Sequence, residues 1–288
     1  MIHPTVNIFT LHSRQWQENR YVYPVVSRRS KGLSIGVNLN PDKICNFDCV
    51  YCSVDRTQMP ERAEVDLAIL EAELRHMVGL ASSGEIWRQP PFDRTPAALR
   101  RINDIAFSGD GEPTSFQRFQ DAAELAVSVL TDANAADVKI VVITNATLFH
   151  QDRVLETIRY LDHHNGEIWA KLDAGTEAYY KLVERTTIPL QRVLDNLLMV
   201  GRDRPIVIQS LFMRISDVPP SGEEIAAYVG RLQALRDGGG GIKLVQVYTV
   251  ARTTAEAYVT PLRNEEVDAI VNAVREAGIH VEGYYGPD

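Results

Sequence analysis

From residue 100 onward the chain repeats one pattern, and that repetition limits the available folds more than any other feature. Short runs rich in β-branched residues recur: IAFSG (105–109), IVVIT (140–144), IWAKLD (168–173), IVIQSLF (206–212), KLVQVYT (243–249) and IHVEGYY (279–285). Their spacing is about 30 to 40 residues, the size of a strand–helix–strand unit. The segments between them carry apolar residues at helical spacing and recognisable ends. Ser221 and Glu224 read as a capping box ahead of Ile225, Tyr228, Val229, Leu232 and Leu235, and the glycines at 238–241 stop that helix. Asn264 precedes Val267, Ile270, Val271 and Val274, with Gly278 just after, and Ser115 precedes Phe116, Phe119, Leu125 and Val129. Upstream, LSIGVNLN (33–40) reads as a first strand, and residues 64–79 as its helix. The expected architecture is α/β: a partial or complete parallel (β/α) barrel over residues 31–288 behind an N-terminal arm, residues 1–30. A doubly wound open sheet is the alternative.

Composition agrees. With 288 residues, 45% of them hydrophobic and 24% charged, the chain can bury a substantial core. No window has the roughly 18 apolar residues that span a bilayer, and the N-terminus MIHPTVNIFTLHSRQW lacks a basic stretch leading into an apolar one, so no membrane partner and a cytoplasmic location are expected. A net charge of −8 gives no general attraction to phosphate backbones, so a nucleic-acid partner is possible but not favoured.

The three cysteines, Cys45, Cys49 and Cys52, all lie in the eight residues CNFDCVYC that follow the first strand. A disulfide framework would use an even number spread along the chain, so this is a ligand cluster for a soft metal centre. Zinc and iron–sulfur are the competing readings. Structural zinc wants a fourth protein ligand, and none of the seven histidines is close in sequence. Three thiolates on a four-iron cluster leave one iron open to a substrate, which favours iron–sulfur.

Polar residues gather just after the apolar runs, where parallel α/β folds place their chemistry. The second run ends in Ser108, Gly109, Asp110, Gly111 and Glu112; the third in Thr144 and Asn145; the fourth carries Lys171 and Asp173. Gln209, Ser210 and Arg214 follow the fifth, and Gln246, Tyr248 and Arg252 the sixth. Each alone has a plain structural reading as a cap, a turn or a solvated charge. Their shared phase argues for one functional end.

These residues resemble the radical S-adenosylmethionine (SAM) enzymes. CNFDCVYC matches that family's Cys-x3-Cys-x2-Cys loop, with the aromatic Tyr51 before the last cysteine. The order VVSRRSKGLSIGVNLNPDKICNFDCVYC, FSGDGEPT, ITNAT and KLDA is similar to the subgroup containing the tRNA wyosine-base synthases. The resemblance implies a [4Fe-4S] cluster held by Cys45, Cys49 and Cys52. Its open iron would take SAM and, once reduced, release a 5′-deoxyadenosyl radical that abstracts hydrogen from a substrate. Asp110, Gly111 and Glu112 fill the family's Gly-Gly-Glu position toward the methionine ammonium, Asp110 standing where the family has glycine; Ser108 opens the same loop. Thr144, Asn145 and Asp173 match further SAM contacts, and Tyr51 would pack near the adenine. Arg28 and Arg29 fit the subgroup's paired arginines, as candidates for a substrate anion or for neutralising charge near the cluster; Lys171, Arg214 and Arg252 are further candidates for substrate contact. The implied reductant is a flavodoxin or ferredoxin. The wyosine-base synthases carry additional cysteines, absent here, so that particular activity is not expected. The leading expectation is a radical SAM enzyme acting on a small molecule or nucleoside. The alternatives are a maturase or modifying enzyme acting on tRNA or protein, and a non-catalytic iron–sulfur or zinc-binding protein.

Overall fold

The computed structural model describes residues 16–57 and 64–286. The first fifteen residues of the expected N-terminal arm lie outside the described residues. Of the remainder, Val22–Ser27 forms a strand, β1. It turns back through Arg28 and Arg29 into β2 (Gly32–Val37), the two pairing antiparallel from Ser27↔Gly32 to Val22↔Val37. After β2 the βα alternation runs as the sequence pattern requires: α1 (Leu67–Ser82), β3 (Ile102–Phe107), α2 (Phe119–Asp132), β4 (Lys139–Thr144), α3 (Asp152–Asp162), β5 (Gly166–Lys171), then α4 (Glu177–Glu184) and α5 (Leu190–Asp203). There follow β6 (Ile206–Leu211), β7 (Met213–Ile215), α6 (Gly222–Asp237), β8 (Ile242–Tyr248), β9 (Val259–Pro261), α7 (Asn264–Glu276) and β10 (Val281–Tyr284).

The larger sheet has the order β1-β2-β3-β4-β5-β6-β8-β10, and β7 pairs with β9 in a small separate ribbon. From β2 onward the order follows the chain without reversal. A doubly wound sheet reverses its strand order at a switch point, so this topology is that of a partial parallel (β/α) barrel. The strands β2–β3, β3–β4, β5–β6, β6–β8 and β8–β10 pair parallel. All six residues of β6 are buried, which is why IVIQSL reads as an unbroken run. Among the described residues no helix is long and apolar enough to cross a membrane.

The chain divides into two compact units: Met1–Ile44, Pro60–Val142 and Arg153–Glu167 in their described parts, and Cys45–Met59, Ile143–Asp152 and Ile168–Asp288 in theirs. In the first, Phe107 meets Phe119 of α2 edge-on at 5.6 Å, and Ala122, Ala123 and Ala126 of α2 are fully buried. In the second, α7 buries Val267, Ile270, Val271 and Val274, the stripe its spacing predicts.

Two helix starts and one capping box differ from expectation. Ser115 closes a short 3-10 turn (Pro113–Ser115), and α2 begins at Phe119 with Arg118 ahead of it. Asn264 is the first residue of α7 rather than its cap; the carboxylate of Glu266 accepts from the Arg263 amide at 2.9 Å instead. Ser221 does cap α6 by accepting from Glu224 N at 3.1 Å, but the Glu224 carboxylate does not complete the box. It accepts from Gly175 N at 2.5 Å and Thr176 Oγ1 at 2.6 Å, tying the loop after β5 to α6. Gly175 has to lack a side chain, since a Cβ there would stand 2.0 Å from Tyr228 N.

Candidate active site

The cysteine loop is fixed by its backbone. Val183 and Glu184 end α4, where carbonyls lack partners within the helix, and they accept from Val50 N at 2.8 Å and Asp48 N at 3.0 Å. Arg185 leaves the helix at φ +46°, the left-handed conformation that commonly ends helices. Cys52 N donates to Cys49 O at 2.9 Å, and Ala255 N to Cys52 O at 3.0 Å. Val50 is buried in an apolar cluster with Val183, Leu211, Met213, Val250 and Val259. Asn46 donates to Thr147 Oγ1 at 2.7 Å and accepts from Asn145 at 2.6 Å, so Asn145, expected as a SAM contact, also supports this loop.

Cys45, Cys49 and Cys52 are unbridged and partly exposed. The Cys49 thiol donates to Oε2 of fully buried Glu184 at 2.6 Å. Burial first, and then Glu184, pushes that thiol up from its ordinary pKa. Glu184 is itself held well above the usual carboxylate range, by burial and then by Asp173. Arg56 Nη1 donates to Cys52 Sγ at 3.1 Å. Burial works to lower the Arg56 pKa, but Cys52, Cys45 and Cys49 outweigh it and the value rises. One guanidinium therefore sits in the field of all three thiols. Among the described residues no three His, Cys, Asp or Glu side chains gather around a point that would hold a single metal ion. Three thiols on one anchored loop with a cation against them suit a cluster in which each thiolate takes a different iron.

Beside the loop lies a buried polar cluster. Tyr51 Oη donates to Asp173 Oδ2 at 2.5 Å, and Leu211 N to Asp173 Oδ1 at 2.7 Å. Lys171 Nζ stands 3.0 Å from Asp173 Oδ2 and donates to Tyr248 Oη at 3.0 Å, lying 4.9 Å from the centre of the Tyr51 ring. Burial opposes the charge on Lys171, yet Asp173, then Tyr248 and Glu184, raise its pKa, so it is an ammonium. Lys171 and Asp173, expected as separate contacts, are one ion pair.

In the first unit, SGDGEPT follows β3. Glu112 is 2% exposed and accepts from Thr114 Oγ1 at 2.5 Å and Thr114 N at 3.2 Å. Asp110 accepts from Asn38 Nδ2 at 2.7 Å, while its own N–H donates to Asn38 Oδ1 at 3.2 Å. A Cβ on Gly111 would come within 2.2 Å of Ile44 O, so glycine lets the backbone approach the residue that precedes Cys45. Ser108 Oγ is 3.2 Å from Tyr23 Oη.

Thr144 Oγ1 accepts from Ala146 N at 3.0 Å, holding Ala146 at φ +62°. Arg214 donates to Glu266 and to Asp217 O, and Arg252 lies partly exposed in the loop after β8. Arg28 and Arg29 sit in the turn between β1 and β2, at the N-terminal end of β2. The cation against the thiols is Arg56, which sequence reasoning missed together with Glu184. Arg56 has only its place four residues after Cys52 to mark it. Glu184 has a carboxylate at a helix C-terminus, against the macrodipole preference.

The sequence profile described as the Radical SAM superfamily matches residues 39–213, more than half of the chain. A protein of Brachyspira hyodysenteriae named GTPase Obg is 23% identical over 252 residues, covering 85% of this chain but 32% of its own length. UPF0026 protein MJ1312 of Methanocaldococcus jannaschii is 24% identical over 255 residues, covering 88% and 70%. The chain thus spans about a third of the first relative's length. Among solved structures, a radical SAM methyltransferase from Sphaerobacter thermophilus superposes with a TM-score of 0.61 at 14% identity, over 88% of this chain and 66% of that one. TYW1 with a lysine–pyruvate adduct bound gives 0.55 at 16%, over 86% and 74%. At such identities the likeness speaks to the fold alone. The profile match over the loop that holds Cys45, Cys49 and Cys52 speaks further: the chain belongs to the radical SAM superfamily.

Proposed function

We propose that the chain is a radical SAM enzyme whose catalytic domain covers residues 31–288 and whose substrate is a small molecule or nucleoside. One observation carries this: three unbridged thiols on one loop, anchored by the end of α4, with Arg56 in the field of all three. Cys45, Cys49 and Cys52 would hold a [4Fe-4S] cluster, which when bound and reduced supplies an electron to the SAM sulfonium and so gives a 5′-deoxyadenosyl radical.

The chain's own residues do the rest. Arg56 offsets the negative charge of the thiolates and donates to Cys52 Sγ. Glu184 orients Cys49. Glu112, a buried acid beside Thr114, is suited to receive the methionine ammonium, and Gly111 lets that backbone approach Ile44 O. Asp110, Ser108, Thr144, Asn145, Tyr51 and Asp173 are the further SAM candidates. Lys171, being paired with Asp173, holds that carboxylate and the Tyr51 ring in place. Flavodoxin or ferredoxin is the proposed reductant class.

The test is anaerobic reconstitution with iron and sulfide, followed by reduction in the presence of SAM. Close to four iron per chain and formation of 5′-deoxyadenosine are expected. Stoichiometric zinc with no deoxyadenosine would overturn the reading in favour of a metal-binding protein without radical chemistry.

A further inference from the structure

The two faces of the sheet in the second unit differ in chemistry. On one face Ser210 of β6 meets Tyr228 Oη of α6 at 2.6 Å, and a Cβ on Gly283 of β10 would stand 3.0 Å from Val271 of α7. That face packs on helices. On the opposite face, strand register places Lys171, Gln209, Gln246 and Glu282 in a single row: Lys171↔Gln209, Gln209↔Gln246 and Gln246↔Glu282. Trp169 lies two residues before Lys171, and Tyr248 two residues after Gln246, on the same face.

The charges at the ends of this row are engaged, Lys171 with Asp173 and Tyr248, and Glu282 with Tyr284 Oη at 2.5 Å. The middle is neutral. Gln209 and Gln246 are 1% and 2% exposed, and Gln209 Nε2 donates to Gln246 Oε1 at 2.8 Å. Among the described residues that is the one side-chain hydrogen bond either amide makes. Gln209 keeps a carbonyl oxygen and Gln246 an amino group with no protein partner, although both side chains are more than nine-tenths buried. Neither of these two atoms is sealed from solvent, so water or another molecule meets them. What meets them must offer a donor and an acceptor side by side. Flanking Trp169 and Tyr248 favour a flat ring, and the neutral middle favours an uncharged edge.

We propose that Gln209 and Gln246 form a substrate subsite that takes a cyclic amide edge, a ring N–H beside a C=O as in a pyrimidine-dione or other lactam-bearing base. This deepens the reading given above and rests on it. The test uses the reconstituted full chain with SAM, and uridine and 3-methyluridine as probes, which differ in whether the ring N–H is present. Binding is read by calorimetry or ligand-observed NMR, and SAM cleavage is assayed separately on the same wild-type protein. Uridine should bind, and 3-methyluridine should bind roughly tenfold more weakly or less, the loss expected when a buried hydrogen bond is blocked. Gln246→Glu, which keeps size and removes the amino donor, should weaken uridine by a similar factor with an unchanged circular dichroism spectrum. Protein that cleaves SAM yet binds both nucleosides equally, or neither, overturns the subsite while the radical reading stands. Selective uridine binding without SAM cleavage upholds the subsite and fails the reading.

Discussion

The cysteine loop and the SGDGEPT loop each follow a parallel strand, β2 and β3, and each carries a motif, but they are held in different ways. In SGDGEPT the buried acid Glu112 accepts from Thr114, two residues on, and Ser115 Oγ returns to Glu112 O at 2.7 Å, while Ser108 and Asp110 at the start of the loop meet Tyr23 and Asn38, 85 and 72 residues away. In the cysteine loop the partners are remote: Glu184 for Cys49, Asp173 for Tyr51 and Thr147 for Asn46 lie 135, 122 and 101 residues away. Around its acid the SGDGEPT loop carries its own partner. The other needs α4 and β5 in place before its thiols are positioned.

The largest effect expected from this contrast is at the thiols. Replacing any one of Cys45, Cys49 or Cys52 by alanine should abolish iron retention and SAM cleavage while far-ultraviolet circular dichroism stays unchanged, because the loop's backbone bonds do not use the thiols. Global unfolding of these variants would make the metal a structural one. Next come the supports. Glu184→Ala should lower the unfolding free energy by about 2–3 kcal/mol, since it leaves a hole and strands the Cys49 thiol, whereas Thr114→Val should cost about 1 kcal/mol. Equal costs in urea denaturation would erase the contrast. Gly111→Ala, with Ile44 O 2.2 Å from the new Cβ, should cost about 1–3 kcal/mol and loosen iron binding. Its control, Gly230→Ala in α6, where a new Cβ would meet no heavy atom within 4 Å beyond the helix's own adjoining backbone, should gain about 0.5–1 kcal/mol. Smallest in stability is Arg56→Gln, expected to leave the fold untouched and to shift the reconstituted centre's midpoint potential to more negative values, because a cation and a hydrogen bond to sulfur are lost. An unchanged potential would mean that Arg56 does not act on the bound centre.

The same contrast explains what could be read from the sequence. The strands were legible because buried parallel strands are β-branched runs, and six expected runs, from IAFSG to IHVEGYY, each overlap an observed strand. The stripe Val267, Ile270, Val271 and Val274 was legible from its spacing. The cap expected at Ser115 was not, because a 3-10 turn intervenes before α2. Glu224 looked like half of a capping box because sequence gives no sign that the loop after β5 brings two backbone amides to its carboxylate. Arg28 and Arg29 were singled out through motif order alone, as candidates for a substrate anion or for neutralising charge near the cluster, and they lie in the turn that leads into β2. Lys171 and Asp173 were visible as polar residues after a strand, while their pairing depends on Tyr51 and Tyr248, far away in sequence.

The proposed radical chemistry needs three thiolates that hold a cluster and leave one iron for SAM. Electron paramagnetic resonance of the reduced, reconstituted protein addresses it directly, recorded with and without SAM. A reduced four-iron signal whose shape changes when SAM is added is expected. A signal indifferent to SAM would contradict it, as would a protein that takes up no iron at all.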